Sequence, residues 1–536
     1  MTAVSNAMPQ YAPQVDNEEF RCLPRRLQEL AAEQGDHPAI YDDNGSLTWR
    51  QFVDQVNRVA NRLIDAGLQP GDTVAGLSEN SIPYFTLFMG VLTAGGCMVP
   101  LSSMAAGDTL ALMINDCDAR FLFISRKNQE LITPLLDQLE NVSPQQRIAL
   151  DFQDSGWSNF MDWVGDAPST KPNREPGADD PFNIIYSSGT TGVPKGILHD
   201  HRLRSRQMDR FTALGFDNTA INLVSTPLYS NTTLVSVLPT LFGGGTIVTM
   251  GKFDARRFLE LCEKHRVTHA MLVPVQYQRI LSDPEFERFD LSSFKVKFST
   301  SAPLRGHVIA EVMQRWPGNI IEFYGLTEGG VSTILNCAEF PDKWDTVGRA
   351  GEGCELRIID EDLKEVPPGT IGEIVGRAGA MMRGYYKRED KTNEMLWTSP
   401  EGEVFYRTGD MGRLDEDGFL SVLDRRKDMI ISGGFNIYAE DLEKMLLKHP
   451  DVADAAVIAI PSEQWGETPL GLVVRREGSD TGTDEIRDWA NQQLGKAQRL
   501  HDVELRDHLP RSTIGKILKR ELRDPYWKEQ QQQERG

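Results

Sequence analysis

Apolar and polar positions follow two rhythms along the chain. Between residues of roughly 25 and 180, helical spacing and short strand-like runs alternate, the texture of an α/β lobe. Leu47-Thr48-Trp49 opens a helix whose apolar face runs through Val53, Val56, Val59, Ala60 and Leu63 and ends near Gly67; Thr73 to Leu77 is a short strand. The uncharged run from Ser81 to Met104 is broken by Pro83, Gly95-Gly96 and Pro100, so it reads as a buried helix followed by a strand, not a membrane span. Ser143 to Asp180, rich in Pro, Gly, Asp and Ser, is expected to be a connecting segment.

Farther on, strands are predicted at Ile221 to Val224, Thr246 to Met250, His269 to Val273, Lys295 to Phe298 and Asn319 to Phe323, with helical patterns between them. Such alternation implies a mostly parallel, doubly wound sheet, whose ligands bind outside the carboxyl ends of its strands. Three polar stretches fall at those ends and are expected to converge on one cleft: Pro227-Leu228-Tyr229-Ser230, Ser299-Thr300-Ser301-Ala302-Pro303 and Tyr324-Gly325-Leu326-Thr327-Glu328.

Beyond Trp344 the texture changes to short strands with Gly-rich turns. Glu355 to Asp360 and Thr370 to Gly376 read as one hairpin, Arg413 to Leu420 as another. From Tyr438 an α+β pattern begins: a helix over Ala439 to Lys448, strands near Ala455 to Ile460 and Leu470 to Val474, and a helix over Asp484 to Leu494. The expected organisation is a loose leader (1–24), a large N-terminal domain (25–426) with a β-barrel-like subdomain at about 345–426, a small α+β C-terminal domain (427–525) and a disordered Gln-rich tail (526–536).

Composition narrows the function classes. The 536 residues carry 57 basic and 78 acidic side chains, a formal charge of -21, which argues against general affinity for nucleic acid or anionic membrane. A polyanionic ligand must then meet locally basic spots. The six cysteines are scattered without paired spacing, so neither a zinc site nor a disulfide framework is expected, and a reducing cytoplasm fits. The first twenty residues lack a basic start and an apolar run, so no targeting segment is expected there.

Candidate chemistry centres on Tyr186-Ser187-Ser188-Gly189-Thr190-Thr191-Gly192-Val193-Pro194-Lys195-Gly196, which follows the short buried strand Phe182 to Ile185. Glycines let successive N–H groups point inward, the hydroxyls add donors and Lys195 adds a positive charge, the makings of a polyphosphate cradle. A Walker A loop needs lysine directly after its second glycine, whereas Lys195 lies three residues beyond Gly192, so a kinase or GTPase loop is excluded. If ATP lies in the cleft, Tyr324 offers a flat face to adenine, Thr327 a hydroxyl to the α-phosphate, and Glu328 an oxygen ligand to Mg²⁺.

The loop resembles, nearly residue for residue, the phosphate loop of the ANL superfamily of adenylating enzymes, and four further motifs follow in that family's order between Leu30 and Arg523. The resemblance implies ATP, Mg²⁺ and coenzyme A as reactants, with Ser187, Ser188, Gly189, Thr190, Thr191, Gly192 and Lys195 on the phosphates and Thr190 beside Glu328 at the metal. It places Ser301, Ala302 and Pro303 along the adenine with Tyr324 and Gly325, Asp410 on the ribose hydroxyls, and Arg425 on ribose and phosphate. It also makes Lys427 a domain hinge, Gly433 and Gly434 the lining of a pantetheine tunnel, and Lys516 the catalytic lysine that meets substrate carboxylate and α-phosphate.

The acyl pocket implied by the family comprises Tyr229, Ser230, Asn231, Thr232, Thr300 and Val331. Two departures weigh against coumarate or benzoate specificity: Ser230 stands where many aryl ligases have histidine, and Thr300 where many have glycine. No acidic residue stands in these stretches to hold an amino group, so a hydrophobic monocarboxylic acid, fatty, alicyclic or arylalkyl, is expected. The hinge stretch resembles acyl-CoA and aryl-CoA ligases, and no carrier domain follows, which favours free CoA as the acceptor. A stand-alone enzyme that loads a carrier protein is the alternative; a catalytically silent nucleotide-binding regulator is a more remote one, and a homodimer stays open.

Overall fold

The computed structural model describes residues 19–105, 107–187, 194–426, 428–432, 435–462, 464–495, 498–512 and 515–533. They fall into two compact units, one within Met1–Trp344, Gly351–Glu355 and Arg377–Tyr406, the other within Asp345–Ala350, Leu356–Gly376 and Arg407–Gly536. The β-rich segment expected at 345–426 is thus shared between them.

The first unit holds two large sheets. In one, the strands Asn319–Gly325, Val296–Ser299, His269–Leu272, Ile221–Val224, Thr246–Thr249 and Pro38–Asp42 lie side by side in that order, every neighbouring pair parallel. The five strands predicted from the apolar runs are all there. In the other, Cys97–Pro100, Thr73–Leu77 and Phe121–Ile124 are parallel and buried, and Pro181–Ser187 continues the sheet toward the antiparallel pair with Lys195–Asp200. Strands buried on both faces are mainly apolar, so they read as nearly continuous runs, although Asn222, His269, Lys297 and Glu322 are polar residues buried within them.

The helix Trp49–Asp65 starts where expected, because Thr48 accepts from the Gln51 backbone while the Gln51 side chain accepts from Thr48, a reciprocal capping box. Its buried face, Phe52, Val53, Val56, Val59, Ala60 and Leu63, packs on Ile82–Thr93, a helix whose side chains from Tyr84 to Thr93 are all buried. That is why the latter carries no charge. Among the described residues no helix is long and apolar enough to cross a membrane.

Two expectations need correction. The stretch from Ser143 to Asp180 is not bare connection: it contains the edge strands Arg147–Ala149 and Ser158–Asn159 and the helix Phe160–Val164, held because Phe160 and Trp163 pack edge-on against Phe123. The Gln-rich end is not disordered throughout: a helix runs Lys519–Gln533. It is anchored in the second unit by the Tyr526 hydroxyl on Glu504 (2.8 Å), the Trp527 indole on the Ala459 carbonyl (3.1 Å), and the Lys519 ammonium on Glu443 (2.9 Å) and Asp424 (3.6 Å). The rest of that unit includes the antiparallel pair Val452–Ser462 and Gly466–Arg475, with Asp502–Leu505 added in parallel, and the helices Ala439–Leu446 and Thr483–Gln493 packed on the sheet.

Glu322, opposite Ser299 in the parallel sheet, is a buried carboxyl whose Oε1 accepts from the Leu304 backbone (3.0 Å) and whose Oε2 has no partner among the described residues. Burial pushes its pKa from 4.5 up to about 8. The folded chain therefore keeps this proton to higher pH than the unfolded chain, so the contribution is intact below 4.5 and is lost as pH rises through 8. Glu322→Gln keeps the acceptor and removes the titration. Denaturant unfolding should show its stability relative to the parent growing from pH 5 to pH 8 by at least about 1.4 kcal/mol, the equivalent of one pKa unit; a constant difference would contradict a neutral buried acid.

Candidate active site

The Ser187–Lys195 pair closes the hairpin between Pro181–Ser187 and Lys195–Asp200. Ser188, Gly189, Thr190, Thr191 and Gly192 lie outside the described residues. Lys195 is thus the first residue of the return strand, which accounts for its distance from Gly192. Its ammonium lies over the ring of Tyr385, 5.0 Å from the centroid.

The parallel strands put the polar stretches that follow them at one end of the sheet. Ser230 caps the helix Asn231–Gly243 by accepting from the Thr232 backbone (3.3 Å), and Tyr229 precedes it. The Thr232 and Ser301 hydroxyls are hydrogen-bonded at 2.5 Å, so the start of that helix and the 299–303 stretch do meet. Ser301 sits at φ +78°, left-handed backbone that a side chain rarely adopts. Thr300 and Ala302 are half-buried beside it, and Pro303 is exposed. Tyr324 and Gly325 end their strand opposite Thr333 and Ser332, and Val331 is buried.

Thr327 and Glu328 are held by groups that no motif marks. His199, buried on the strand Lys195–Asp200, contacts the Thr327 carbonyl through Nε2 at 2.7 Å and Arg204 through Nδ1 at 2.8 Å. A guanidinium has no lone pair, so Nδ1 accepts and Nε2 carries the hydrogen that goes to Thr327. Burial, reinforced by the Arg204 charge, lowers the His199 pKa well below its ordinary value and keeps this neutral tautomer. Arg204 is itself fully buried, donating also to Asn183, Gln207 and Asn231, so one polar network joins the start of the helix Asn231–Gly243 to the Thr327 backbone. Burial brings its pKa down to about 9, which leaves it charged at neutral pH.

Glu328 receives the Tyr385 hydroxyl on Oε1 (2.9 Å), and Tyr385 in turn meets the Tyr406 hydroxyl (3.1 Å). Among the described residues no group of three or more His, Cys, Asp or Glu could cage a metal. One half-buried carboxylate with an oriented oxygen suits Mg²⁺, which keeps waters and is held mainly by substrate phosphates.

The second unit carries the other candidates. Asp410 is buried on the strand Val404–Leu414, and its Oδ1 lies 3.2 Å from Nε of Arg425, its partner across the ladder. Lys516 is exposed on a tight loop closed by Ser512 N to the Lys516 carbonyl (2.8 Å) and Lys516 N to the Ser512 hydroxyl (3.2 Å). Arg511 ties the loop down through the Gly515 carbonyl (2.8 Å) and Asp454 (2.6 Å). Lys427, Gly433 and Gly434 lie outside the described residues.

A doubly wound domain with this hairpin beside a Thr-Glu turn, followed by a small α+β domain, defines a mixed α/β adenylate-forming enzyme. Residues 27–386 match the family model of AMP-binding enzymes, and residues 441–516 that of the AMP-binding enzyme C-terminal domain. The chain belongs to this family, in the AMP-forming acyl-CoA synthetase branch of the adenylating superfamily, and it uses ATP. It is 32% identical to a feruloyl-CoA synthase of Amycolatopsis over 90% of this chain and 95% of that protein. It is 29% identical to the fatty acid–[acyl-carrier-protein] ligase ScoC of Streptomyces coeruleorubidus over 91% and 93%. Among solved structures, ATP-bound MatB from Rhodopseudomonas palustris superposes with a TM-score of 0.83 at 29% identity, covering 94% of this chain and 98% of that one.

The strained Ser301 yields a stability test. Ser301→Ala and Ser301→Gly both lose the Thr232 hydrogen bond, but only glycine relieves the positive φ. The glycine variant should be the more stable of the two by about 1 kcal/mol in denaturant unfolding; the reverse order would contradict left-handed backbone at this position.

Proposed function

We propose that the enzyme activates a hydrophobic monocarboxylic acid, fatty, alicyclic or arylalkyl, as its acyl-adenylate and transfers the acyl group to coenzyme A in the cytoplasm. The observation that carries this reading is the approach of Lys195 and Glu328 to one side chain: a cation suited to departing phosphates and a carboxylate suited to their metal both touch Tyr385. Asn231, Thr232, Thr300 and Val331, with Tyr229 and Ser230, bring no carboxylate to the acyl side, which favours an acid without an amino group.

The chemistry is two displacements. A carboxylate oxygen of the acid attacks the α-phosphorus of ATP, and the bond to pyrophosphate breaks. Lys195 and the 187–192 loop hold the pyrophosphate as it departs; the Thr327 hydroxyl and Lys516 face the α-phosphate, and Lys516 also offsets the repulsion between the two anions as they meet. Glu328 and Thr190 would hold Mg²⁺, which would supply charge neutralisation on the phosphates. Tyr324, Gly325 and Ser301 to Pro303 take the adenine, Asp410 and Arg425 the ribose. The C-terminal domain then turns about Lys427, Lys516 withdraws, and a thiol entering past Gly433 and Gly434 attacks the acyl carbon while AMP leaves.

A second acceptor has a specific warrant, since ScoC, over 93% of its length, is a relative named for loading a carrier protein. Formation of an acyl-CoA thioester at rates matching pyrophosphate release supports the CoA reading; pyrophosphate exchange with little thioester supports the carrier. A panel of acids in a pyrophosphate-release assay tests the substrate class, and activity confined to amino acids would overturn it. Lys516→Ala should slow adenylate formation by about 100-fold or more while leaving transfer from a preformed acyl-adenylate to CoA within a few-fold of the parent. Equal loss in both half-reactions would remove Lys516 from the role given to it.

A further inference from the structure

The segment Ala380–Tyr386 is stitched to the two parts of the polyphosphate grip within the first unit. At one end Met382 N donates to the Glu328 carbonyl (2.7 Å), Gly330 N donates to the Ala380 carbonyl (3.1 Å), and Gly329 bridges Met381. That approach needs glycine: Gly329 has φ +73°, and a Cβ there would stand 2.2 Å from the Ala380 carbonyl oxygen. At the other end the short strand Gly384–Tyr385 pairs antiparallel with Lys195–Asp200, Tyr385 opposite Ile197, and Tyr386 N donates to the Gly196 carbonyl (2.7 Å).

Tyr385 projects from this segment into both functional groups. Its hydroxyl meets Glu328 Oε1 at 2.9 Å, and its ring lies beneath the Lys195 ammonium at 5.0 Å. The Tyr385 hydroxyl donates its single phenolic proton to Glu328, so the Tyr406 hydroxyl, 3.1 Å away, donates to Tyr385. The result is a directed relay, Tyr406 to Tyr385 to Glu328, that leaves the second Glu328 oxygen for other partners. If Tyr385 served only to fill the core with Ile197, Met381, Met382 and Tyr406, phenylalanine would do as well. The hydroxyl, with its place between two oxygens, is the part that packing does not explain.

We propose that Tyr385 is a positioning residue for the polyphosphate grip: its hydroxyl orients the Glu328 carboxylate toward the metal·ATP complex, and its ring face holds Lys195 ready for the phosphates. This rests on Glu328 being the metal ligand. A hydrogen-bonded partner that fixes a ligand's orientation governs metal affinity, typically by about 10–100-fold, whereas a cation–π contact on a partly exposed lysine is worth a few-fold in binding.

The test uses Mn²⁺ as the probe. Its binding to the enzyme·ATP complex is followed by electron paramagnetic resonance, and ATP binding in EDTA by calorimetry, for the parent, Tyr385→Phe, Tyr385→Leu, Tyr406→Phe and Glu328→Gln. Tyr385→Phe should weaken Mn²⁺ by about tenfold and leave metal-free ATP affinity within about twofold, because the ring still faces Lys195. Tyr385→Leu should lose the metal effect and a few-fold in metal-free ATP affinity as well. Parent-like Mn²⁺ binding in Tyr385→Phe alongside weakened binding in Glu328→Gln overturns the positioning role and spares Glu328 as ligand. Parent-like binding in Glu328→Gln overturns both. If Tyr385→Phe does not fold, Tyr406→Phe carries the test: weakened Mn²⁺ binding supports the relay, and parent-like binding overturns it.

Discussion

The proposed polyphosphate chemistry depends on a joint between two sheets. The hairpin that carries Lys195 belongs to one sheet, and the turn that carries Thr327 and Glu328 follows the strand Asn319–Gly325 of the other. Hydrogen bonds from His199 to the Thr327 carbonyl, from Met382 to the Glu328 carbonyl and from Tyr385 to the Glu328 carboxylate fix one against the other. Each donor is buried, where a lost partner costs a full desolvation penalty of about 1–3 kcal/mol. The joint is therefore rigid for the same reason that it is accurate.

Charge imposes a second constraint. A chain with a formal charge of -21 repels ATP at long range, so the cations that meet phosphate must be few and well placed. Arg204 shows how the first unit spends a cation on structure: buried among Asn183, His199, Gln207 and Asn231, it has every donor occupied and secures the Thr327 backbone indirectly. Lys195 and Lys516, by contrast, stand at the surface of their units, half-exposed and exposed. The buried cation thus serves the frame, and the proposed phosphate-binding roles fall to the two more accessible lysines.

Much of this was legible in the chain. Buried parallel strands such as His269–Leu272 and Asn319–Gly325 announce themselves as apolar runs, and the polar stretches after them could be assigned to one end of a sheet without knowing the order of the strands. The strand Lys195–Asp200 was hidden, since it begins with a lysine and ends with His199 and Asp200, whose burial is repaid only by tertiary partners. Tyr385 and His199 were invisible for the same reason: their partners lie 57 and 128 residues away along the chain, and no local spacing encodes them. The Gln-rich end was misread because its polarity suggests solvation, yet glutamine is a good helix former once Tyr526 and Trp527 anchor the preceding turns.

All of the proposed chemistry starts from attack by a carboxylate oxygen of the acid on the α-phosphorus of ATP. Turnover of an acid labelled with oxygen-18 in both carboxylate oxygens, with thiol acceptor present, tests it by mass spectrometry of the nucleotide product. AMP should carry one labelled oxygen per turnover, and pyrophosphate should be unlabelled. Unlabelled nucleotide with label in orthophosphate would mean attack at the γ-phosphorus through an acyl phosphate, and would contradict it.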